Sequence, residues 1–400
     1  PTLDKASSTA DITVTGNNTN DTITTGSGAD VIIANGGNDT ITTGLGADKI
    51  RAGEGIDNVS SGGGNDVIVV VGTTTATQYT NASITNSAGS GTDLSGLITL
   101  ADLNGRTVSE IGAGETINGG TGSNTLFIYG TVDLTGVVLT NITTLYVNSD
   151  VTLTPAQIAG FTTIDGDGNS VINIVVPSGS SDTYILDLSA MTTSDIANIN
   201  IAGDVTVKIS DASDLTGITA ITSSNTSTVT LSVIDGGAAT AISLSDIKGT
   251  FAAVDKVNIE DQVTLILDDA SDVTSLGLTE ISGDGTIGST SVQAAIDGVT
   301  ISSAVNFSPT GSVTISGTAT EDQVLTASNT LVDADNIVGN INYQWMRDGI
   351  NISGSTSTTY TLVQADVGAA ITVAVSYTDG EGTAESVTSS ATSPVSDIPV

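Results

Sequence analysis

The stretch Gly16–Val69 reads GNNTNDTIT, TGSGADVII, ANGGNDTIT, TGLGADKIR, AGEGIDNVS and SGGGNDVIV when it is written in nines. An aspartate fills the sixth place every time: Asp21, Asp30, Asp39, Asp48, Asp57 and Asp66. An aliphatic residue follows two places later: Ile23, Ile32, Ile41, Ile50, Val59 and Ile68. Glycine and asparagine fill most of the turn before each aspartate. A disordered Gly/Asp linker has no reason to keep such a register.

Gly and Asn tolerate positive φ, so each segment leading to the aspartate can turn tightly. The next three residues suit a very short strand whose aliphatic side chain points inward. Two nines then make one coil, and coils stack at the usual strand spacing of about 4.8 Å. This register predicts one column of Asp21, Asp39 and Asp57 and another of Asp30, Asp48 and Asp66. Carboxylates so close repel by roughly 1 kcal/mol per pair in water, and by more where solvent is excluded. A hard dication held by carboxylate and backbone carbonyl oxygens removes that penalty, and calcium has the matching ligand preference.

These nonapeptides resemble the GGxGxDxUx repeats of RTX proteins, which form calcium-bound parallel β-rolls. The resemblance implies ions between repeats i and i+2, shared by Asp21/Asp39, Asp39/Asp57, Asp30/Asp48 and Asp48/Asp66. It also implies carbonyl ligands from the turn glycines Gly26, Gly28, Gly37, Gly44, Gly46, Gly53 and Gly55. The first repeat departs from the pattern, with Asn17 and Thr19 where glycines are usual. The resemblance further implies export by a type I system and a secreted, extracellular or cell-surface location.

Composition limits the remaining choices. The 400 residues suit two to four domains, and the chain reads as a segment of something longer. It carries 44 acidic against 8 basic residues, a net charge of −36. That balance argues against nucleic acid and anionic membrane surfaces as partners. No apolar run approaches a membrane span, so no membrane insertion is expected. Cysteine is absent, so another staple must hold the fold. Histidine is absent too, which removes zinc hydrolase motifs and Ser–His or Cys–His pairs. The abundance of Thr, Val, Ile, Ser, Gly and Asn points to an all-β protein.

The expected fold is a calcium-bound parallel β-roll continuing into a β-solenoid, followed by an Ig-like β-sandwich. Residues 1–72 form the roll, with Ile12 and Val14 in a starting strand. Its outward positions are Thr22, Thr24, Thr40, Thr42, Asn58 and Ser60 on one side. On the other they are Val31, Ile33, Lys49, Arg51, Val67 and Val69. Residues 73–124 comprise a polar, aperiodic stretch, either an exposed insertion or a contact arm, and a degenerate coil. In that coil Gly119–Phe127 (GGTGSNTLF) carries Asn124 in the aspartate's place and Glu115 sits nine positions earlier. It is either a fifth calcium site or an ion-free coil.

Residues 125–305 hold three copies of a unit of about 56 residues, a period close to those of tandem-repeat architectures. Ile142, Leu145 and Val147 return as Ile196, Ile199 and Ile201, then as Val254, Val257 and Ile259. Tandem short strands suit a solenoid, with a run of small sandwiches as the alternative. Turns at Asp165–Gly168, Asp268–Asp269 and Asp284–Gly285 are either solvated or metal-binding. Residues 306–400 resemble bacterial Ig-like modules, with Trp345 as core, and Asp333 and Asp335 as a candidate pair for a further ion.

Three functional readings follow. One is a non-catalytic, calcium-stiffened segment of a secreted surface adhesin, with calcium ions and a cell-surface glycan as partners. Another is a self-assembling S-layer or filament subunit, whose partners are neighbouring copies of itself. The third is a polysaccharide-acting β-helix enzyme using acids such as Asp165 and Asp167.

Overall fold

A computed structural model describes residues 2–85, 92–177, 184–224, 227–236, 240–260, 262–267, 270–289, 299–301, 305–380 and 382–398. The chain is all-β, its first three quarters mostly parallel β-solenoid, and it divides into two compact units. The first comprises residues 1–236, 246–258 and 275–278; the second comprises 237–245, 259–274 and 279–400.

The first unit opens with the nonapeptides. Strands β1 (Thr2–Asp4), β3 (Thr22–Thr24), β5 (Thr40–Thr42), β7 (Asn58–Ser60) and β9 (Thr116–Asn118) stack in one parallel sheet. Strands β2 (Thr13–Thr15), β4 (Val31–Ile33), β6 (Lys49–Arg51), β8 (Val67–Val71) and β10 (Thr125–Tyr129) stack in another. Ile23 pairs with Ile41 and Ile41 with Val59; Ile32 pairs with Ile50 and Ile50 with Ile68. A coil is therefore two nonapeptides long, as the register predicts. All six aliphatics are buried between the sheets.

Beyond β10 the coils lengthen. Leu126 pairs with Leu145 and Leu145 with Ile164, so each of these coils exceeds two nonapeptides by a single residue. Ile172 pairs with Ile199 and Ile199 with Ile221, which are longer steps again. The Leu145/Val147 and Ile199/Ile201 positions that mark the longer repeat are buried on these strands. The segment Asp165–Gly168, expected as a turn, lies instead inside the strand Thr163–Val175 at a break in register between Asp165 and Ser170. Asp165 and Asp167 there accept hydrogen bonds from Ser194 and Ser170. Asp268 and Asp269 lie outside the described residues.

Residues 73–85 and 92–115 leave the stack between β8 and β9 and carry α1 (Asn81–Thr85) and α2 (Leu100–Leu103). They fold back over the face that carries Val69, Val71, Phe127 and Tyr129, burying Tyr79, Ile84, Leu94, Leu97, Ile98 and Leu103 against it. Val31, Ile33 and Val67 pack at the edge of this second core. Arg51 is buried, its guanidinium on Glu110 and Asp102. So the side of the roll holding Val31, Ile33, Arg51, Val67 and Val69 is an interior surface, whereas Thr22, Thr40, Thr42 and Asn58 on the other are exposed.

The second unit contains parallel strands Thr240–Ser243, Val263–Leu267, Thr286–Ser289 and Asn306–Phe307. It continues as two antiparallel sheets. One has Val313–Ser316, Val324–Asn329 and Thr359–Thr361; the other has Ile337–Arg347, Ile350–Asn351, Ile371–Asp379 and Ala384–Thr388. Leu325, Leu362, Ile371, Val373 and Val375 surround the fully buried Trp345. The Trp345 indole donates to Ser357 O at 2.8 Å.

Candidate metal centre

Each aspartate of the nonapeptides ends a turn and begins a strand, so coil stacking sets its backbone above the aspartate two repeats away. The Asp21 N–H donates to Asp39 Oδ1 at 2.7 Å, and the Asp39 N–H to Asp57 Oδ1 at 2.7 Å. In the other column Asp30 donates to Asp48 Oδ1 at 2.8 Å and Asp48 to Asp66 Oδ1 at 3.0 Å. All six aspartates are 2% exposed or less. The two columns expected from the register are thus brought together.

One oxygen of Asp39, Asp48, Asp57 and Asp66 is used by that ladder, and Asp30 Oδ1 accepts the Ile12 N–H at 2.8 Å. The other, Oδ2 of Asp30, Asp39, Asp48, Asp57 and Asp66, is buried with no hydrogen-bond partner. Nor does any of these five form an ion pair among the described residues. Burial, which disfavours the charged form, pushes the carboxyls of Asp39, Asp48 and Asp66 above the ordinary range and that of Asp57 up to about 6. An unpaired buried carboxylate is costly, and this arrangement repeats it five times.

The turns explain why glycine recurs. A Cβ on Gly44 would lie 1.9 Å from Gly26 O, on Gly46 2.1 Å from Gly28 O, and on Gly55 1.8 Å from Gly37 O. Gly64 would place one 1.6 Å from Gly46 O. Turns therefore sit directly on one another, and only hydrogen fits between them. The carbonyls of Gly26 and Gly44 accept the N–H groups of Leu45 and Gly63. Those of Gly28, Gly37, Gly46, Gly53 and Gly55 accept none among the described residues.

Bare carboxylate and carbonyl oxygens with no nitrogen or sulfur donor form a hard-oxygen set, and they fit a calcium-class ion. A family model for the RTX calcium-binding nonapeptide repeat, which spans four copies, matches residues 15–50 and 42–69. Residues 15–69 are RTX calcium-binding repeats. No curated protein and no solved structure matches the chain.

The columns end where the RTX pattern ends. Asn124 takes the next place after Asp66, and its Oδ1 accepts the Asp66 N–H at 3.0 Å. Its Nδ2 donates to Asn141 O at 3.0 Å, so an amide proton occupies the place of a bare oxygen. In the other column Glu115 precedes β9, accepting the Gly112 N–H at 3.1 Å. Its carboxyl is pushed up to about 8, by burial first and then by the charges of Asp57 and Glu110.

A third ladder escaped the sequence reading. Asn20, Asn38 and Asn65 sit immediately before the aspartates, and their Oδ1 atoms accept N–H groups of Asn38, Ile56 and Ser123. The signal was the recurrence of Asn at the fifth place, in GNNTN, ANGGN and SGGGN.

Proposed function

We propose that this chain is a non-catalytic, calcium-stiffened structural segment of a secreted cell-surface protein, with an adhesive role. Calcium would be held by Asp21, Asp30, Asp39, Asp48, Asp57 and Asp66 with carbonyls of Gly26, Gly28, Gly37, Gly44, Gly46, Gly53 and Gly55. When bound, the ion supplies positive charge between stacked carboxylates. The chain supplies the spacing, through glycine turns that exclude side chains and N–H groups that fix one oxygen of each acid. The observation that carries the reading is the row of buried, partnerless Oδ2 atoms. Such a site binds the folded state far better than the unfolded one, so calcium drives folding by mass action. The chain would stay loose inside a cell, where calcium is scarce, and stiffen outside, where it is millimolar.

In this reading residues 1–72 are the roll, 73–124 its docked insertion and closing coil, 125–305 the solenoid, and 306–400 an Ig-like module. The two antiparallel sheets around Trp345 support the last assignment. Among the described residues no helix is long and apolar enough to cross a membrane.

The test is calcium titration of the chain followed by circular dichroism and equilibrium dialysis. Folding of residues 1–72 should follow calcium. Asp39→Ala with Asp48→Ala should lower the number of ions bound, because each of these acids is shared by two sites. A strong β signal from the roll in chelator, or unchanged stoichiometry in the double variant, would sink the reading.

A further inference from the structure

The second unit holds another group of acids, unrelated to the nonapeptides. Asp333, Asp379 and Glu385 each offer a carboxylate oxygen, and these oxygens lie within 4.8 Å of one another. Asp379 ends the strand Ile371–Asp379, Glu385 lies in the next strand, Ala384–Thr388, and Asp333 comes from the loop after Val324–Asn329. Each is held from outside the cluster. Asp333 Oδ2 accepts the Tyr377 hydroxyl at 2.6 Å and its Oδ1 the Asp335 N–H at 3.0 Å. Asp379 Oδ1 accepts the Thr383 N–H at 2.7 Å. Neither Asp333 nor Glu385 forms an ion pair with Lys or Arg among the described residues.

Three like charges at this spacing call for a counterion. The independent pointer is Asn306, which is 8% exposed. Its Nδ2 donates to Glu385 Oε1 at 2.8 Å. Its Oδ1 is buried with no hydrogen-bond partner. An amide spans about 2.3 Å from nitrogen to oxygen, so this bare oxygen lies no more than about 5 Å from Glu385 Oε1. A buried carbonyl oxygen is normally satisfied, and one this near the Glu385 carboxylate suits a cation that both could bind.

We propose that Asp333, Asp379 and Glu385, with the carbonyl oxygen of Asn306, form a second divalent-cation site. All four ligands are hard oxygens on separate segments, three anionic and one neutral, which suits calcium's tolerance of irregular geometry. Asp335, the neighbour singled out in the sequence, plays a positioning part. Its Oδ2 accepts the Phe307 N–H at 2.6 Å, which holds Asn306–Phe307 against the 333–335 loop. The ion would tie the last parallel strand of this unit to its antiparallel sheets.

The experiment uses the full chain with calcium alone, in a background of Asp39→Ala and Asp48→Ala that weakens the roll. Glu385→Gln is the first variant, since Glu385 is only partly buried, and Asp379→Asn is the second. Trp345 fluorescence reports whether the module is folded. One class of bound calcium should weaken at least about tenfold in both variants, with Trp345 unchanged in Glu385→Gln. Should Asp379→Asn unfold, Glu385→Gln decides alone. Equal calcium binding by the parent and a folded Glu385→Gln variant would overturn the site. A chain whose roll takes no calcium but which loses an ion on Glu385→Gln would sink the roll reading and leave this one standing.

Discussion

The coils of Gly16–Val69 and those of Thr116–Val175 share the same two parallel sheets, but they fill their interiors differently. Most nonapeptide strands bury one aliphatic side chain, such as Ile41 or Ile50, and follow an acid, five of which have one oxygen unsatisfied. The longer coils bury several apolar side chains on each turn, among them Leu126, Ile128, Val132 and Leu134, then Leu145, Val147, Val151 and Leu153. Each such side chain contributes about 1.5–3 kcal/mol. Their polar atoms are also closed by protein, as when Gln157 donates to Leu134 O and Val137 O. A coil of two nonapeptides, only one residue shorter, gives those places to glycine, asparagine and aspartate instead. The shorter coil thus leaves buried oxygens for an outside charge to satisfy, while the longer coil is completed by its own side chains.

The largest test of this contrast is calcium removal. In chelator, amides of β3, β5, β6 and β7 should lose hydrogen-exchange protection, while those at Leu145, Ile164 and Ile172 keep it. Equal protection in the two stretches would break the comparison. Next in size is Asp48→Ala in millimolar calcium. It removes a carboxylate that two of the proposed sites would share and the acceptor for the Asp30 N–H, so unfolding of the roll should ease by about 3 kcal/mol or more. Asp133→Ala, on the exposed face of a longer coil, should stay within about 0.5 kcal/mol. Urea titrations of the two variants would compare them.

Proton linkage gives a test of sign. Asp57, raised to about 6, and Glu115, raised to about 8, hold protons more tightly folded than unfolded. The stability they contribute is fully present below the unfolded carboxylate range near pH 4, and it is lost as pH rises through 6 and then 8. In chelator the melting temperature of the roll should therefore fall from pH 5 to pH 8. In calcium it should rise over the same range, because deprotonated acids bind the ion. Parallel trends in both buffers would mean that the buried acids are not the ion's ligands.

Turn glycines offer a smaller contrast. Gly64 has φ of +141° and no space for a Cβ, whereas Gly168 has φ of +82° and open space around it. Gly64→Ala must push stacked turns apart and should cost about 3 kcal/mol, against about 1 kcal/mol for Gly168→Ala. Thermal melts of the two variants in calcium would rank them.

Much of the clasp was legible in the sequence because its period is short and strict. Asp21 through Asp66 and their aliphatic partners recur once in every nonapeptide, so coil length and columns follow from stacking alone. The insertion was not legible. Leu94, Leu97, Ile98 and Leu103 are the apolar half of a second core, but their partners Val69, Val71, Phe127 and Tyr129 lie on distant strands. Alternation along β6 and β8 tells only that Arg51 and Val69 point away from the first core, not that something covers them. The acids at Asp333, Asp379 and Glu385 share that difficulty, since no local spacing joins a loop to two later strands. Asp165 and Asp167 misled as a turn because two glycines beside two acids resemble one, while the chain uses them at a strand bulge.

The finest test works at the boundary between the two kinds of coil. Asn124 stacks on Asp66 as an aspartate would, yet its Nδ2–H donates to Asn141 O where an aspartate would present a second oxygen. Asn124→Asp keeps the size and the Oδ1 acceptor but turns a donor into a bare oxygen facing that carbonyl. In chelator the variant should lose about 1–2 kcal/mol, the cost of one more unsatisfied buried group. In calcium it should recover most of that loss and bind one ion more than the parent chain, measured by equilibrium dialysis. The two effects must appear together, since both arise from the same oxygen. A variant that is weakened equally with and without calcium would show that Asn124 only fills space, and that the clasp ends at Asp66 for a reason other than the chemistry of its last side chain.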